Sequence, residues 1–325
     1  MEPLRRDPQA LPPPFEIIGG PQEYVWHSPR KFQDRVWLHA ALFLATVLST
    51  TLVGADHYAS FISDFNVHRI TFTGGQLLLR GAWYSGTILA ILGCHELGHY
   101  LACRYYDVDA SLPFFLPAPF PLTGTFGAFI RIREPIPSKR MLFDIGIAGP
   151  IAGFVVAIPA LFLGMWLSRV VVFPSGVDGL ELGEPLLFKL ATRLFWGSVP
   201  EGYTVNLHPV AFGAWFGLLA TALNLFPIGQ FDGGHISYAV LGRKSSHVTL
   251  VMIFCAAVLT YFSISWLVWT VIATGMLLLF GRHHPRTFDE DVPLDPGRRW
   301  LALFAVIMFI LCFTPAPIEP LKLLR

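Results

Sequence analysis

Seven windows of this chain meet or approach the length and apolarity of a transmembrane helix, and they limit the fold more than any other feature. They lie near residues 36–54, 82–103, 143–167, 208–227, 248–263, 265–281 and 299–315. A helix rises about 1.5 Å per residue, so about 20 apolar residues cross the hydrocarbon of a bilayer. The expected fold is an all-α polytopic membrane protein of about six to seven transmembrane helices. The count has a range because 248–281 is one apolar stretch, which Ser263-Ile264-Ser265 divides into two short spans or leaves as one long tilted helix. Composition agrees, since 54% of the 325 residues are hydrophobic and 14% charged, too few charges to cover a water-facing surface. The net charge of +1 offers nucleic acid no basic field, so no nucleic-acid partner is expected.

Three segments follow from this pattern. Residues 1–35 hold seven prolines, mixed charge and no apolar signal core, and read as a polar Pro-rich tail. Residues 36–315 form a single transmembrane domain, and 316–325 a short C-terminal tail. With the N-terminus inside, 16 of the 23 Lys and Arg fall on the inner side. The positive-inside rule then places 104–140 and 228–247 towards the cytoplasm. The four cysteines, Cys94, Cys103, Cys255 and Cys312, sit in or beside apolar runs and read as buried packing residues.

Residues 112–133 are apolar yet hold Pro113, Pro117, Pro119 and Pro121, so they cannot form a regular helix. Their second half alternates, with Phe126, Ala128, Ile130 and Ile132 on one face and Gly127, Phe129, Arg131 and Arg133 on the other. This predicts a membrane-dipping β-hairpin or extended loop, buried in protein or lining a polar cavity. The alternative is an interfacial loop resting on lipid headgroups.

The chemistry begins at His95-Glu96-Leu97-Gly98-His99 in the second window. Residues i and i+4 stand one above the other on a helix, so both imidazoles can reach one metal ion while Glu96 flanks its open position. Two histidines and a glutamate are costly to bury in an apolar span, which marks the cluster as functional. The plain structural alternative is a helix-packing cluster in which the three satisfy one another. A catalytic zinc wants a third protein ligand. The metzincin position is Tyr105, which excludes that class. Glu134 is a distant carboxylate ahead of Pro135. Asp232 is the better candidate: Pro227 and Gly229 interrupt the fourth window, and Gly233-Gly234 permits a tight turn that swings the aspartate inward. With Glu96 ionised, a zinc ion, Asp232 and Glu96 also sum to about zero charge. Otherwise Asp232 is a cap or turn residue. Asn224 offers an amide to a substrate backbone or developing oxyanion, or else bonds between helices. His235 and His208 are expected at the headgroup boundaries, and His283-His284 in a linker. Gly149-Pro150-Ile-Ala-Gly153 lets another helix approach closely.

Taken together, these residues resemble the site-2 protease family of intramembrane zinc metalloproteases. The likeness rests on His95-Glu96-Leu-Gly-His99, on Asn224-x-x-Pro227 leading to Phe231-Asp232-Gly233-Gly234, and on Gly149-Pro150-x-x-Gly153, in the family's order. It covers roughly residues 80–245 and corresponds to a compact form without a PDZ insertion. Gly124-Thr-Phe-Gly127 also looks like the bacterial and plastid branch. The resemblance implies one zinc per chain held by His95, His99 and Asp232, with Glu96 as general base and Asn224 as a second catalytic group. It implies transmembrane protein substrates in a lipid bilayer, a bacterial inner membrane, and a site towards the cytoplasm; it leaves the oligomeric state open. An unwound substrate strand would pair with the segment holding Gly124, Phe126, Gly127, Ala128, Phe129 and Ile130. The chain departs from the pattern in Phe231, where Leu is usual, and in lacking a recognisable C-terminal regulatory domain.

Three other readings compete. A membrane di-iron enzyme needs about eight clustered histidines, and only one such spacing exists here. A CAAX-type metalloprotease would use a glutamate as third ligand. An inactive homologue that binds or regulates transmembrane segments would have no use for Glu96 beside a metal.

Overall fold

The computed structural model describes residues 15–17, 24–26, 31–118, 122–173, 180–280 and 287–320. Most of the N-terminal tail read above lies outside them, as do Pro119, Pro121, the His283-His284 pair and residues 321–325. Contacts divide the chain into residues 1–33 and 34–325. Within the first unit, β1 (Phe15–Ile17) and β2 (Tyr24–Trp26) pair antiparallel, with Phe15 opposite Trp26.

The second unit is mostly helical. Helices α1 (Val36–Ile62), α2 (Gly74–Tyr105) and α3 (Lys139–Leu167) are each long and apolar enough to cross a membrane. A fourth such helix runs from Asp232 to Phe262. It comprises α6 (Asp232–Leu241), a 3-10 turn at Gly242–Lys244 and α7 (Ser245–Phe262). Three further helices are shorter: α5 (Pro209–Asn224), α8 (Ser265–Phe280) and α9 (Pro296–Cys312). The protein is therefore a membrane protein by the length and apolarity of these helices.

Local chemistry sets their ends. Thr73 and Gln76 form a reciprocal capping box at the start of α2. Pro209 and Pro296 occupy first-turn positions of α5 and α9, where a missing N–H costs nothing. Pro150 and Pro159 lie inside α3, which continues through both.

Helix α2 is the centre of the packing and touches α1, α3 and α5. Its buried positions, Tyr84, Ile88, Ile91, Leu92, His95, Glu96, His99 and Cys103, recur at helical spacing, while Leu79, Leu97 and Leu101 on the other face are exposed. Apolar side chains such as Leu44, Leu48, Trp166, Phe254 and Tyr261 cover the outer surface. That is what contact with hydrocarbon instead of water requires.

The expectation of an all-α protein needs correction. Among the described residues there are four antiparallel strand pairs, β1–β2 in the first unit and three in the second. In the region 112–133, β3 (Phe114–Pro117) pairs with β4 (Thr125–Phe129), Phe115 opposite Ala128, with an irregularity between Leu116 and Pro117. A proline cannot donate to a ladder, which explains the break there. The stretch after α3 also contains β5 (Arg169–Val172), β6 (Leu180–Leu182), α4 (Leu186–Trp196) and β7 (Tyr203–Asn206). Strand β7 pairs with β5, and β6 with β8 (Ile318–Pro320). These elements are too short for span-length windows to reveal.

The segment before α9 is tied to the start of α3. Asp289 accepts hydrogen bonds from the Lys139 N–H at 2.6 Å and the Ser138 hydroxyl at 2.8 Å, and the Lys139 ammonium donates to the Glu290 carbonyl at 2.8 Å. Burial opposes ionisation of Asp289, but these donors outweigh it and hold its carboxyl below the ordinary 3.8. A depressed carboxylate stabilises the fold above its unfolded pKa and ceases to do so as pH falls through the folded value. Amide exchange across 287–292, normalised to the intrinsic rate at each pH, is therefore expected to stay constant from pH 7 to 5 and to rise below about pH 4. Asp289→Ala should raise it at neutral pH and cost about 1–2 kcal/mol of stability.

Candidate metal centre

The site is assembled from α2, α3, α5 and the start of α6. His95 and His99 are one helical turn apart on the buried face of α2, with 4% and 6% of their surface exposed. Their Nε2 atoms face each other at 3.1 Å. Asp232 Oδ2 closes the triangle, 3.1 Å from His95 Nε2 and 3.2 Å from His99 Nε2. One ligand atom from each residue falls within 4.8 Å of the others. Among the described residues this is the one group of three or more such side chains so arranged.

The donor set suits a divalent cation. His99 Nδ1 donates to the Ile145 carbonyl at 2.7 Å. A carbonyl only accepts, so Nδ1 carries the proton, and in the neutral ring the Nε2 lone pair points at the triangle's centre. Two imidazoles and one carboxylate converging there match the three-ligand sets of catalytic zinc sites.

Asp232 reaches this point because the chain reverses between Leu225 and Phe231. The N-cap of α6 is Phe231, and Asp232 is the first helical residue and makes no capping bond. Gly233 and Gly234 act differently from the tight turn expected of them. Both are helical, and a Cβ on either would lie 2.0 Å from the Leu225 carbonyl or 2.2 Å from that of Gly229. Their role is close approach, and the left-handed residue in this loop is Gly229 (φ 52°).

Around the triangle lies a cavity of about 220 Å³, lined by Glu96, Ala128, Phe129, Ile130, Asn224 and Asp232 among others. Glu96 is 6% exposed and shares the cavity wall with Ala128 and Ile130. Asn224 Nδ2 is 3.2 Å from His95 Nε2. Gly124, Phe126 and Gly127 are not among the lining residues; they lie further along the hairpin. Glu134 is engaged elsewhere, accepting from the Asp109 N–H at 2.7 Å. His235 is in the cavity wall. His208 caps α5 through Nδ1, 7% exposed, with Phe61 and Trp83 rings beside it.

The sequence model of Peptidase family M50 matches residues 83–264, more than half of the chain. The chain belongs to peptidase family M50. Among curated relatives, the "Probable zinc metalloprotease EGY2, chloroplastic" of Oryza sativa subsp. indica is 30% identical over 265 residues, 78% of this chain and 46% of the relative. The protein of that name from Arabidopsis thaliana is 29% identical, covering 68% and 39%. The "Probable zinc metalloprotease EGY1, chloroplastic" of Oryza sativa subsp. japonica is 35% identical, covering 63% and 38%. The chain thus spans less than half the length of these relatives. Their names are chloroplastic, so they lend nothing to the bacterial inner membrane expected above.

Within this M50 chain, two features of the site escaped the sequence. The Ile145 carbonyl that orients His99 is a backbone group and leaves no trace in residue identity. Gly149, read only as helix packing, is where the His99 ring fits: a Cβ there would lie 2.1 Å from Nε2. The Gly-Pro-x-x-Gly spacing signalled a close approach without showing what approached.

Metal content of purified, zinc-loaded protein tests this assembly. Asp232→Asn and Gly149→Ala should each weaken retention by about tenfold or more, whereas Glu134→Gln should retain metal like the parent. Helical content should be unchanged in all three by circular dichroism.

Proposed function

We propose that this protein is an intramembrane zinc metalloprotease that hydrolyses peptide bonds of transmembrane substrate proteins. The observation that carries the reading is one cavity in which the His95–His99–Asp232 triangle, the Glu96 carboxyl and the edge of β4 all meet. The relatives' names and the family support it.

His95, His99 and Asp232 are the proposed ligands. A zinc ion held by them supplies a Lewis acid that polarises the scissile carbonyl and makes water nucleophilic near neutral pH. Glu96 would take the proton of the attacking water as the new C–O bond forms, and return it to the leaving amine as the peptide C–N bond then breaks. Asn224 directs its amide into the same space and is free to donate to the developing oxyanion once His95 Nε2 is a ligand.

A helical substrate hides its peptide groups in internal hydrogen bonds and must unwind to be cut. Strand β4 is suited to receive it. The Arg133 N–H donates to the Asp109 carbonyl and the Ser111 N–H to that of Arg131, both at 2.9 Å. By alternation, the backbone groups of Ala128 and Ile130 point to the opposite edge, where both residues line the cavity. A substrate strand added there would recover the bonds lost on unwinding. Gly124, Phe126, Gly127 and Phe129 shape the hairpin that presents this edge.

In the bilayer, seven crossings are proposed: α1, α2, α3, α5, the α6–α7 unit, α8 and α9. The β3–β4 hairpin dips between them. The domain comprises residues 36–315 with its core at 80–245, flanked by the tails. The site faces the side of the Lys and Arg excess.

Reconstituted protein and a tagged single-span probe helix test the assignment of the base. Glu96→Gln should keep its zinc and lose cleavage by about 10²–10⁴-fold. Parent-like cleavage in that variant would falsify the role of Glu96.

A further inference from the structure

The turn of the hairpin is held by an arrangement that the reaction above does not explain. Three successive carbonyls, those of Leu122, Thr123 and Gly124, each accept a hydrogen bond from a side chain of α1 or α2. His57 Nε2 donates to Leu122 at 3.1 Å, Tyr84 Oη to Thr123 at 2.9 Å and Ser49 Oγ to Gly124 at 2.7 Å. All three donors sit in helices apolar enough to span a membrane, and Tyr84 is 0% exposed. Away from water an unpaired carbonyl costs several kcal/mol, so the donors fix the turn where it is. Gly124 (φ 70°) is pressed onto α1 so closely that a Cβ would lie 2.8 Å from Thr50 Cα.

The same helix that binds the turn carries the proposed base. Tyr84 and Glu96 are twelve residues apart on α2, about 18 Å. Thr125, the first residue of β4, and Ile130, just past its end, are five residues apart, about 17 Å of extended backbone. The strand thus runs from its turn, held by Tyr84 of α2, to the cavity that Ile130 and Glu96 line together.

The geometry points to Ser49, His57 and Tyr84 as positioning residues that set the register of β4 against Glu96, and through it the choice of substrate peptide bond. This rests on the proteolytic reading proposed above. A substrate strand on the free edge of β4 inherits the register of that edge, because backbone pairing advances in steps of two residues. With the turn released, β4 can slide while the metal ligands, none of which touches the turn, remain in place.

The test combines Ser49→Ala with Tyr84→Phe, which keeps the ring and removes only the donor. The probe is a tagged single-span helix of Leu and Ala loosened by one Asn-Gly pair, with products read by mass spectrometry. Beside cleavage, zinc content and amide exchange over residues 124–133 are measured, the latter on protein without substrate. The double variant should retain parent zinc content, lose exchange protection in β4, cut at several neighbouring bonds where the parent cuts at one, and raise KM by about tenfold with kcat within about threefold. Gly124→Ala disturbs the turn from the hairpin side and should give the same spread of cuts; it serves if the double variant fails to accumulate. A single, parent-like cut position in variants that hold zinc overturns the proposal. So does loss of zinc and kcat together at an unchanged cut position, since that is a purely structural role. If instead the parent and Glu96→Gln process the probe alike, the proteolytic reading fails, while the exchange data still report whether the side chains hold β4.

Discussion

The structure turns on two histidines and an aspartate brought together inside an apolar core. Neither α2 nor α6 can bury these groups alone, because each would leave buried polar atoms without partners. Their meeting satisfies both helices at once. The rest of the fold serves that encounter: α5 ends at Asn224, the Leu225–Phe231 loop reverses the chain, and the absence of side chains at Gly233 and Gly234 lets α6 start against that loop. Helix α3 completes the arrangement from the other side, offering the Ile145 carbonyl to His99 and space for its ring at Gly149.

The β3–β4 hairpin is the other unusual element, since extended backbone among membrane helices must find its hydrogen bonds within the protein or in a water-filled cavity. One edge of β4 is used by β3 and the turn by side chains of α1 and α2, which leaves the opposite edge towards the cavity. A strand in this position is an open valence of the fold, and its location beside Glu96 gives it chemical meaning.

Much of this was legible in the chain. The His95-x-x-x-His99 spacing is informative because a helix converts four residues into one turn, and Asp232 stood out because Pro227 and the glycines break an apolar run. The four prolines of 112–133 excluded a helix there. What stayed hidden has physical causes. Backbone acceptors such as Ile145 have no residue signature. Ser49, His57 and Tyr84 are common polar residues whose targets lie 75, 65 and 39 positions away, respectively. The elements between α3 and α5 are short, and β6 finds its partner only at residues 318–320. The glycine pair before His235 was recognised, but sequence does not distinguish a glycine needed for its dihedral freedom from one needed for contact.

The bond from His99 to Ile145 ties the tautomer of a ligand on one helix to the axial position of its neighbour. Slippage of α3 along α2 by a single residue would withdraw that carbonyl and bring a side chain up to the ring. Correct seating of α3 against α2 is therefore a condition for the His99 ring to hold its Nε2 towards the centre of the triangle.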